Sequence, residues 1–210
     1  MLPCEPKPST LIRPATFADI DRLVEIHTSA LPGDLLPRLG SAYLRKQFYP
    51  CSLRSANAVT LVNDHGGQVD AFIVFAINSG AFTEELKRDR LRIIFSVLQR
   101  SLRDPGLGWE LASLNRGARI EIARPMGRIQ GLPELYLMAT HPQRQRTGLG
   151  KPLVKAGLLL LSQKGLGACI VKTSSPQARA FYRSLGFEDI GTERRAARSL
   201  FLMCRTTDDE

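Results

Sequence analysis

Cysteine pairs, metal-spaced histidines and a membrane-length apolar run are all missing from this chain of 210 residues. Cys4, Cys51, Cys169 and Cys204 stand far apart, with no CxxC and no neighbouring histidine at zinc spacing. That excludes a disulfide framework or a zinc module and predicts reduced, mostly buried thiols with no metal. His141 follows a strand pattern and precedes Pro142, which makes it a loop residue, while His27 and His65 have no partner that sequence supplies. The GLLLL run meets Ser162 at once and Lys164 soon after, far short of the roughly 18 apolar residues that a bilayer span needs. MLPCEPKPSTLIRP has no basic region leading into an apolar run, so the expectation is a soluble, cytoplasmic protein without a secretory signal or membrane span. No internal repeat or low-complexity tract is present.

Acidic side chains are also in short supply. Twenty Asp and Glu face 29 Lys and Arg, for a net charge of +9 and a pI near 9.8. Such a surface favours phosphates, nucleic acid or anionic lipid. The aromatics fall in apolar runs and are not interleaved with basic residues, so no nucleic-acid partner is expected. With 43% apolar residues, the chain can build one substantial core and falls short of two ordinary domains.

Residues 1–10, with three prolines, read as a flexible tail. LIRPAT (11–16) reads as a strand, and Thr16 or Asp19 can cap a helix through FADIDRLVEIHTSAL that Pro32 and Gly33 end. A second helix is predicted over LPRLGSAYLRKQFYP, stopping at Pro50. AVTLVND and VDAFIVFAI, joined by HGGQ, predict a hairpin. A helix capped by Thr83 is expected over 83–102, and WELASLNRG suggests another short one. GARIEIARPMGRIQGLP has turn signals and no clear period, so it is expected to be irregular. The stretch 79–133 carries ten basic and six acidic side chains. ELYLMAT is a strand, a helix follows from about Leu149 to Lys164 and is closed by GLG, ACIVKT is a buried strand, and SPQARAFYRSLGF is a helix ending at Gly186. FEDIGTE and RSLFLMCRT complete a mixed α/β sheet.

The loop between ELYLMAT and the following helix holds the chemistry. Aligning a P-loop on Gly150-Lys151 puts Gln145 where glycine belongs and Pro152 where a hydroxyl belongs. A dinucleotide fingerprint from Gly148 would require glycine at 153, where Leu153 stands. What survives is a strand, glycines, and a helix whose first N–H groups face an anion. Arg144, Arg146, Lys151 and Lys155 add positive charge, and no Asp or Glu occurs between 142 and 155. Several amides plus several cations suit a pyrophosphate better than a single phosphate.

ELYLMATHPQRQRTGLG resembles the acetyl-CoA motif of the GNAT superfamily of N-acetyltransferases, [QR]xxGx[GA] after a strand, through Gln145, Gly148 and Gly150. SPQARAFYRSLGF is similar to the family's second motif, NxxAxxFYxxxGF, with Ala178, Phe181, Tyr182, Gly186 and Phe187 in place and Ser175 where asparagine is usual. The resemblance implies a mixed, mostly antiparallel central sheet with a splayed acetyl-CoA-binding strand pair flanked by helices. It makes 11–206 one domain, with 79–133 a helical or irregular insertion before the motif strand. It implies that acetyl-CoA or another acyl-CoA is the co-substrate. Its pantetheine arm would lie on backbone groups of Met138, Ala139 and Thr140, its pyrophosphate on the amides of Arg146, Thr147, Gly148, Leu149, Gly150 and Lys151, with Gln145, Ser175 and Ala178 also lining the cofactor.

Acyl transfer to an amine poses two proton problems. An alkyl amine of pKa near 10.4 is about one part in two thousand neutral at pH 7, so a base helps. The departing thiolate needs a proton, which a phenol of pKa near 10 still carries at neutral pH. By resemblance Tyr182 is the general acid. Glu134, fourteen residues before Gly148, stands where histone-type members keep a glutamate base. Ile170 stands where ribosomal-protein acetylases carry theirs, which argues against close kinship with those enzymes. The expected function is direct transfer, in a ternary complex, of an acetyl or other acyl group to a small-molecule amine. The N-terminal LPGDLLPRLGSAYLRKQFY and the insertion resemble members associated with polysaccharide pathways, which points to an amino sugar or sugar nucleotide. A non-catalytic CoA-binding regulator and an acetyltransferase of a protein or peptide amine are the alternatives. Monomer and homodimer both stay open.

Overall fold

A computed structural model describes residues 10–88, 119–122, 131–195 and 198–207. The first strand, β1 (Thr10–Pro14), lies antiparallel on β2 (Ala58–His65). β2 turns into β3 (Gln68–Ala76) through Gly66 and Gly67, whose φ values of 62° and 88° are those a two-residue hairpin demands. Four more strands follow β4 (Arg119–Ile122): β5 (Glu134–Thr140), β6 (Ala168–Thr173), β7 (Glu188–Arg195) and β8 (Arg198–Thr206). The sheet order is β1-β2-β3-β5-β6-β8-β7-β4. Every neighbouring pair is antiparallel except β5 and β6.

Helices cover both faces. On one lie α1 (Ile20–Ala30), α2 (Leu35–Leu39), the continuous coil of α3 (Ser41–Tyr43), a π-helical Leu44–Phe48 and α4 (Tyr49–Arg54), and α5 (Ser79–Lys87). Leu23, Ile26, Leu44, Phe48, Tyr49, Phe72 and Phe82 fill this core. The opposite face packs α6 (Gly150–Gln163) and α7 (Pro176–Arg183) over Phe75, Leu135, Cys169, Val171 and Met203. Each large side chain so buried stabilises by about 1.5–3 kcal/mol. α6 reaches β3 because Gly157 has no side chain: a Cβ there would lie 1.9 Å from Cε2 of Phe75.

The sequence expectations hold for the hairpin, for α6 with Gly165 (φ 71°) closing it, and for α7. Three differ. The second helical stretch runs through Pro50 to Arg54, because the wide π turn ahead of it loosens the ladder where proline offers no N–H. Asn78, not Thr83, caps α5, accepting from the Ala81 amide at 3.0 Å; Thr83 lies inside the helix and donates to the Ser79 carbonyl. Arg119–Ile122 is not irregular but a strand on the sheet's outer edge, paired with β7. Its partner is remote in sequence, and four residues are too few to show a period. The tail up to residue 9, the expected helix beyond 88 and WELASLNRG lie outside the described residues.

Candidate active site

The site begins with an irregularity in β5. Its pairing with β3 steps from Leu135↔Phe75 to Leu137↔Val74, leaving Tyr136 as an extra residue. Such a bulge bends and twists the strand. On its other side β5 pairs with β6 only at Glu134↔Ile170 and Leu135↔Val171. Beyond that point the strands part, and Met138, Ala139 and Thr140 border the opening. Among the described residues, main-chain groups on that edge have no strand partner, and buried backbone polar groups require partners. An extended, amide-bearing ligand laid in the wedge supplies them, as an added strand would.

A short loop joins β5 to α6 above the wedge. Pro142–Arg144 forms a 3-10 turn, Arg146 takes φ 61°, Gly148 takes φ 89°, and α6 starts at Gly150. Positive φ at a non-glycine residue costs about 1–3 kcal/mol, a strain characteristic of functional loops. Alternating left-handed positions turn successive N–H groups toward one side, next to the unpaired first amides of α6. Gln145, Arg146, Thr147, Gly148 and Lys151 are exposed, while Leu149 and Gly150 are half-buried. Gln145 Nε2 donates to the Thr140 carbonyl at 3.3 Å, and the Thr147 hydroxyl to the Arg144 carbonyl at 2.6 Å. Gly150 is where the parts meet: its Cβ would stand 3.3 Å from Cζ of Phe181 and 3.5 Å from Cε of Met138.

Arg144 has a different post from the one sequence suggested. Its Nε donates to Oδ2 of buried Asp70 at 3.0 Å, and Asp70 also faces Arg22 of α1 at 3.7 Å. The His141 amide donates to the Asp70 carbonyl, and its ring lies 3.8 Å from Glu25 of α1. The loop is thus latched to β3 and α1. Asp70 gave no local sequence signal, since its partner is 74 positions away.

Tyr182 sits on α7 at 6% exposure, edge-on to Phe181 and Phe187. Burial, aided by the Cys169 thiol, raises its phenol pKa well above 10, so the O–H keeps its proton at neutral pH. Ser175 caps α7 by accepting from the Ala178 amide at 3.2 Å. Arg179 and Arg183 each donate through Nε to Asp189 of β7 at 2.8 Å, which pins the helix to the sheet.

Glu134 lies on the opposite face, since it alternates with Leu135, which shares Tyr182's core. Glu134 therefore lies at the closed end of the wedge, on the face opposite the core that holds Tyr182. Glu134 is buried and accepts from Lys172 Nζ at 3.2 Å; the same ammonium lies 3.2 Å from Glu193 of β7. Burial alone would lower the Lys172 pKa, but the charges and hydrogen bonds of Glu134 and Glu193 outweigh it and raise it. Neither Lys172 nor Glu193 was singled out from sequence, although a lysine inside ACIVKT was a visible signal.

Comparison with known proteins agrees with this geometry. Residues 120–205 match the family model described as acetyltransferase (GNAT) domain. The mycothiol acetyltransferase of Saccharomonospora viridis is 42% identical over 72 residues, 33% of this chain and 22% of that one. This chain therefore spans about a fifth of that relative's length. Among solved structures, the N-acetyltransferase from Staphylococcus aureus Mu50 aligns with a TM-score of 0.60 at 12% identity, over 95% of this chain and 99% of that one. The ribosomal-protein-S18-alanine N-acetyltransferase from Escherichia coli aligns at 0.58 and 14% identity, over 96% of each. Residues 120–205 thus match a GNAT acetyltransferase domain, and the fold is that of these acetyltransferase structures.

Proposed function

We propose that this protein is an acyl-CoA-dependent N-acyltransferase that moves an acetyl or other acyl group to the amine of a small molecule. The observation that carries the reading is the β5–β6 wedge with the Arg146–Lys151 amides at its open end. The wedge matches a pantetheine arm, and the amides match a pyrophosphate at a helix start. Met138, Ala139 and Thr140 bind the arm through their main chain. Arg146 and Lys151 add charge at the loop, where each helix-end interaction is worth about 0.3–1 kcal/mol when exposed.

At the closed end Tyr182 holds its proton against the departing sulfur and releases it as the thiolate forms. Glu134, on the other face, takes the amine's proton directly or through water. Each such transfer is worth typically 10²–10⁴ in rate. The relatives named for mycothiol favour a small-molecule acceptor over a protein one, and an amino sugar or sugar nucleotide is the class we infer.

Calorimetry with acetyl-CoA, followed by thiol release across amino sugars, sugar nucleotides and amino acids, tests this. Binding with turnover on one acceptor class is the expected result. Binding without thiol release from any amine would make the protein a CoA-responsive regulator instead. No binding of any acyl-CoA would remove the whole reading.

A further inference from the structure

Tyr136 takes no part in that chemistry, yet the backbone is irregular around it in two places. Leu135 is the last β5 residue paired with β6, so Tyr136 is the first past the point where the strands part; it is also the extra residue in the pairing with β3. Its ring packs with the core under α1, on the face of β5 that carries Glu134. There it stacks on Phe48, with centroids 6.2 Å apart and planes at 26°, and meets Phe82 edge-on at 5.4 Å and 83°. Phe48 comes from the π-helical Leu44–Phe48 and Phe82 from α5. A bulge re-aims a side chain and a π turn shifts the phase of a helix face. Both give up regular hydrogen bonding, and both recur at functional sites. Here the two converge on one contact, Phe48 against Tyr136.

Phe48 and Phe82 are fully buried, whereas Tyr136 is half-buried, so of the three rings it alone presents surface outside the core. On the proposed reading, acyl-CoA is anchored at the start of α6, on the other face of the sheet, which leaves the Tyr136 side of the closed end to the acceptor. A ring braced from behind by two others is a flat, rigid, largely apolar wall. Such a wall favours a ligand that is itself a ring over an open chain, which loses more freedom on being laid flat.

We propose that Tyr136 is a specificity-determining residue: its exposed ring surface is the wall on which the acceptor lies beside the thioester, and it selects an amine borne on a ring, such as a hexosamine, over an open-chain amine. The inference rests on the transferase reading of the wedge. The contact is made alike in the ground state and the transition state, so it sets KM for the acceptor and leaves kcat little changed.

Steady-state kinetics with glucosamine and ethanolamine as acceptors tests this. Tyr136→Leu should raise KM for glucosamine about three- to tenfold, with KM for ethanolamine and the calorimetric affinity for acetyl-CoA unchanged; Tyr136→Phe, which keeps the ring, should stay at wild-type values. An equal change for both amines, or none for either, overturns the inference. Tyrosine-ring ¹³C NMR requires neither turnover nor a folded Tyr136→Leu protein. The chain has four tyrosines, Tyr136→Phe assigns the signal, and glucosamine added to the CoA-loaded protein should shift it where ethanolamine does not. A shift without thiol release from acetyl-CoA overturns the transferase reading and keeps Tyr136 as the wall for a cyclic amine. Thiol release with glucosamine beside an unmoved Tyr136 signal does the reverse, and neither shift nor release overturns both.

Discussion

Tyr182 and His27 show how burial sets a titratable side chain to one protonation state. For Tyr182 that state is useful: a phenol whose pKa is raised by burial stays a proton donor throughout the physiological range. Tyr182→Phe keeps the packing against Phe181 and Phe187 and removes only the proton, so kcat should fall by about 10²–10⁴ with acetyl-CoA affinity nearly unchanged. Steady-state kinetics beside calorimetry reads both, and full activity in the variant would remove the phenol from the reaction.

His27 is fully buried, with Nδ1 2.9 Å from the Tyr49 hydroxyl, and burial lowers its pKa from 6.5 to about 4. Above pH 6.5 neither the folded nor the unfolded chain protonates it, and its contribution to stability is intact. Between 6.5 and 4 only the unfolded chain takes up the proton, so stability falls as pH falls, by at most about 1.4 kcal/mol per unit. Urea unfolding at pH 6.5 and pH 5 should therefore show a loss of roughly 2 kcal/mol, much reduced in His27→Leu. An equal slope in both proteins would mean that His27 is not the group responsible.

Elements meet here at a few contacts too close for ordinary side chains. Gly157 lets α6 lie on β3, and Gly157→Ala would drive a methyl into the Phe75 ring. Overpacking of this kind costs about 1–3 kcal/mol, against at most about 1 kcal/mol gained in helix propensity, so packing wins and the thermal midpoint drops. A midpoint at or above wild type would mean that Phe75 moves aside freely. The latch of Asp70 on Arg144 makes a different kind of prediction. Asp70→Asn loses a charge-assisted bond worth about 1.5–3 kcal/mol, and part of that appears as disorder in the loop 141–149. KM for acetyl-CoA should rise about tenfold with kcat little changed, since no group at the reacting atoms is altered. A fall in kcat at constant KM would contradict the latch.

At the scale of the molecule, the two halves of the sheet are paired, among the described residues, only at Glu134 and Leu135 of β5. A ligand in the wedge bridges both halves and binds only the folded chain. Acetyl-CoA at one hundred times its Kd should add about 2.7 kcal/mol of stability, which for a chain of this size is roughly 5–11 °C in Tm. Differential scanning fluorimetry checks it, and an unshifted transition would argue against a site between the halves. The outer edge is decided at this scale too. β4 joins β7 from across the insertion, while Leu132, just before β5, packs against the Ile170, Ile190 and Leu202 layer. No helix among the described residues is long and apolar enough to cross a membrane.

Local periodicity and turn chemistry were enough to read the hairpin at Gly66 and Gly67, α6 with its glycine start and finish, and α7 ending at Gly186, because each depends on residues within a few positions of one another. Gly148, Gly150 and Tyr182 were picked out by resemblance to two short motifs, each local in the chain. What only the tertiary structure decided depends on partners far apart in the chain. The Tyr136 bulge that parts the strands, the Asp70 latch on Arg144, the strand at Arg119–Ile122 and the Glu134–Lys172–Glu193 triad all require the assembled sheet. Charges and hydrogen bonds across a sheet follow strand order and register, and strand order and register are set by the packing of both cores at once.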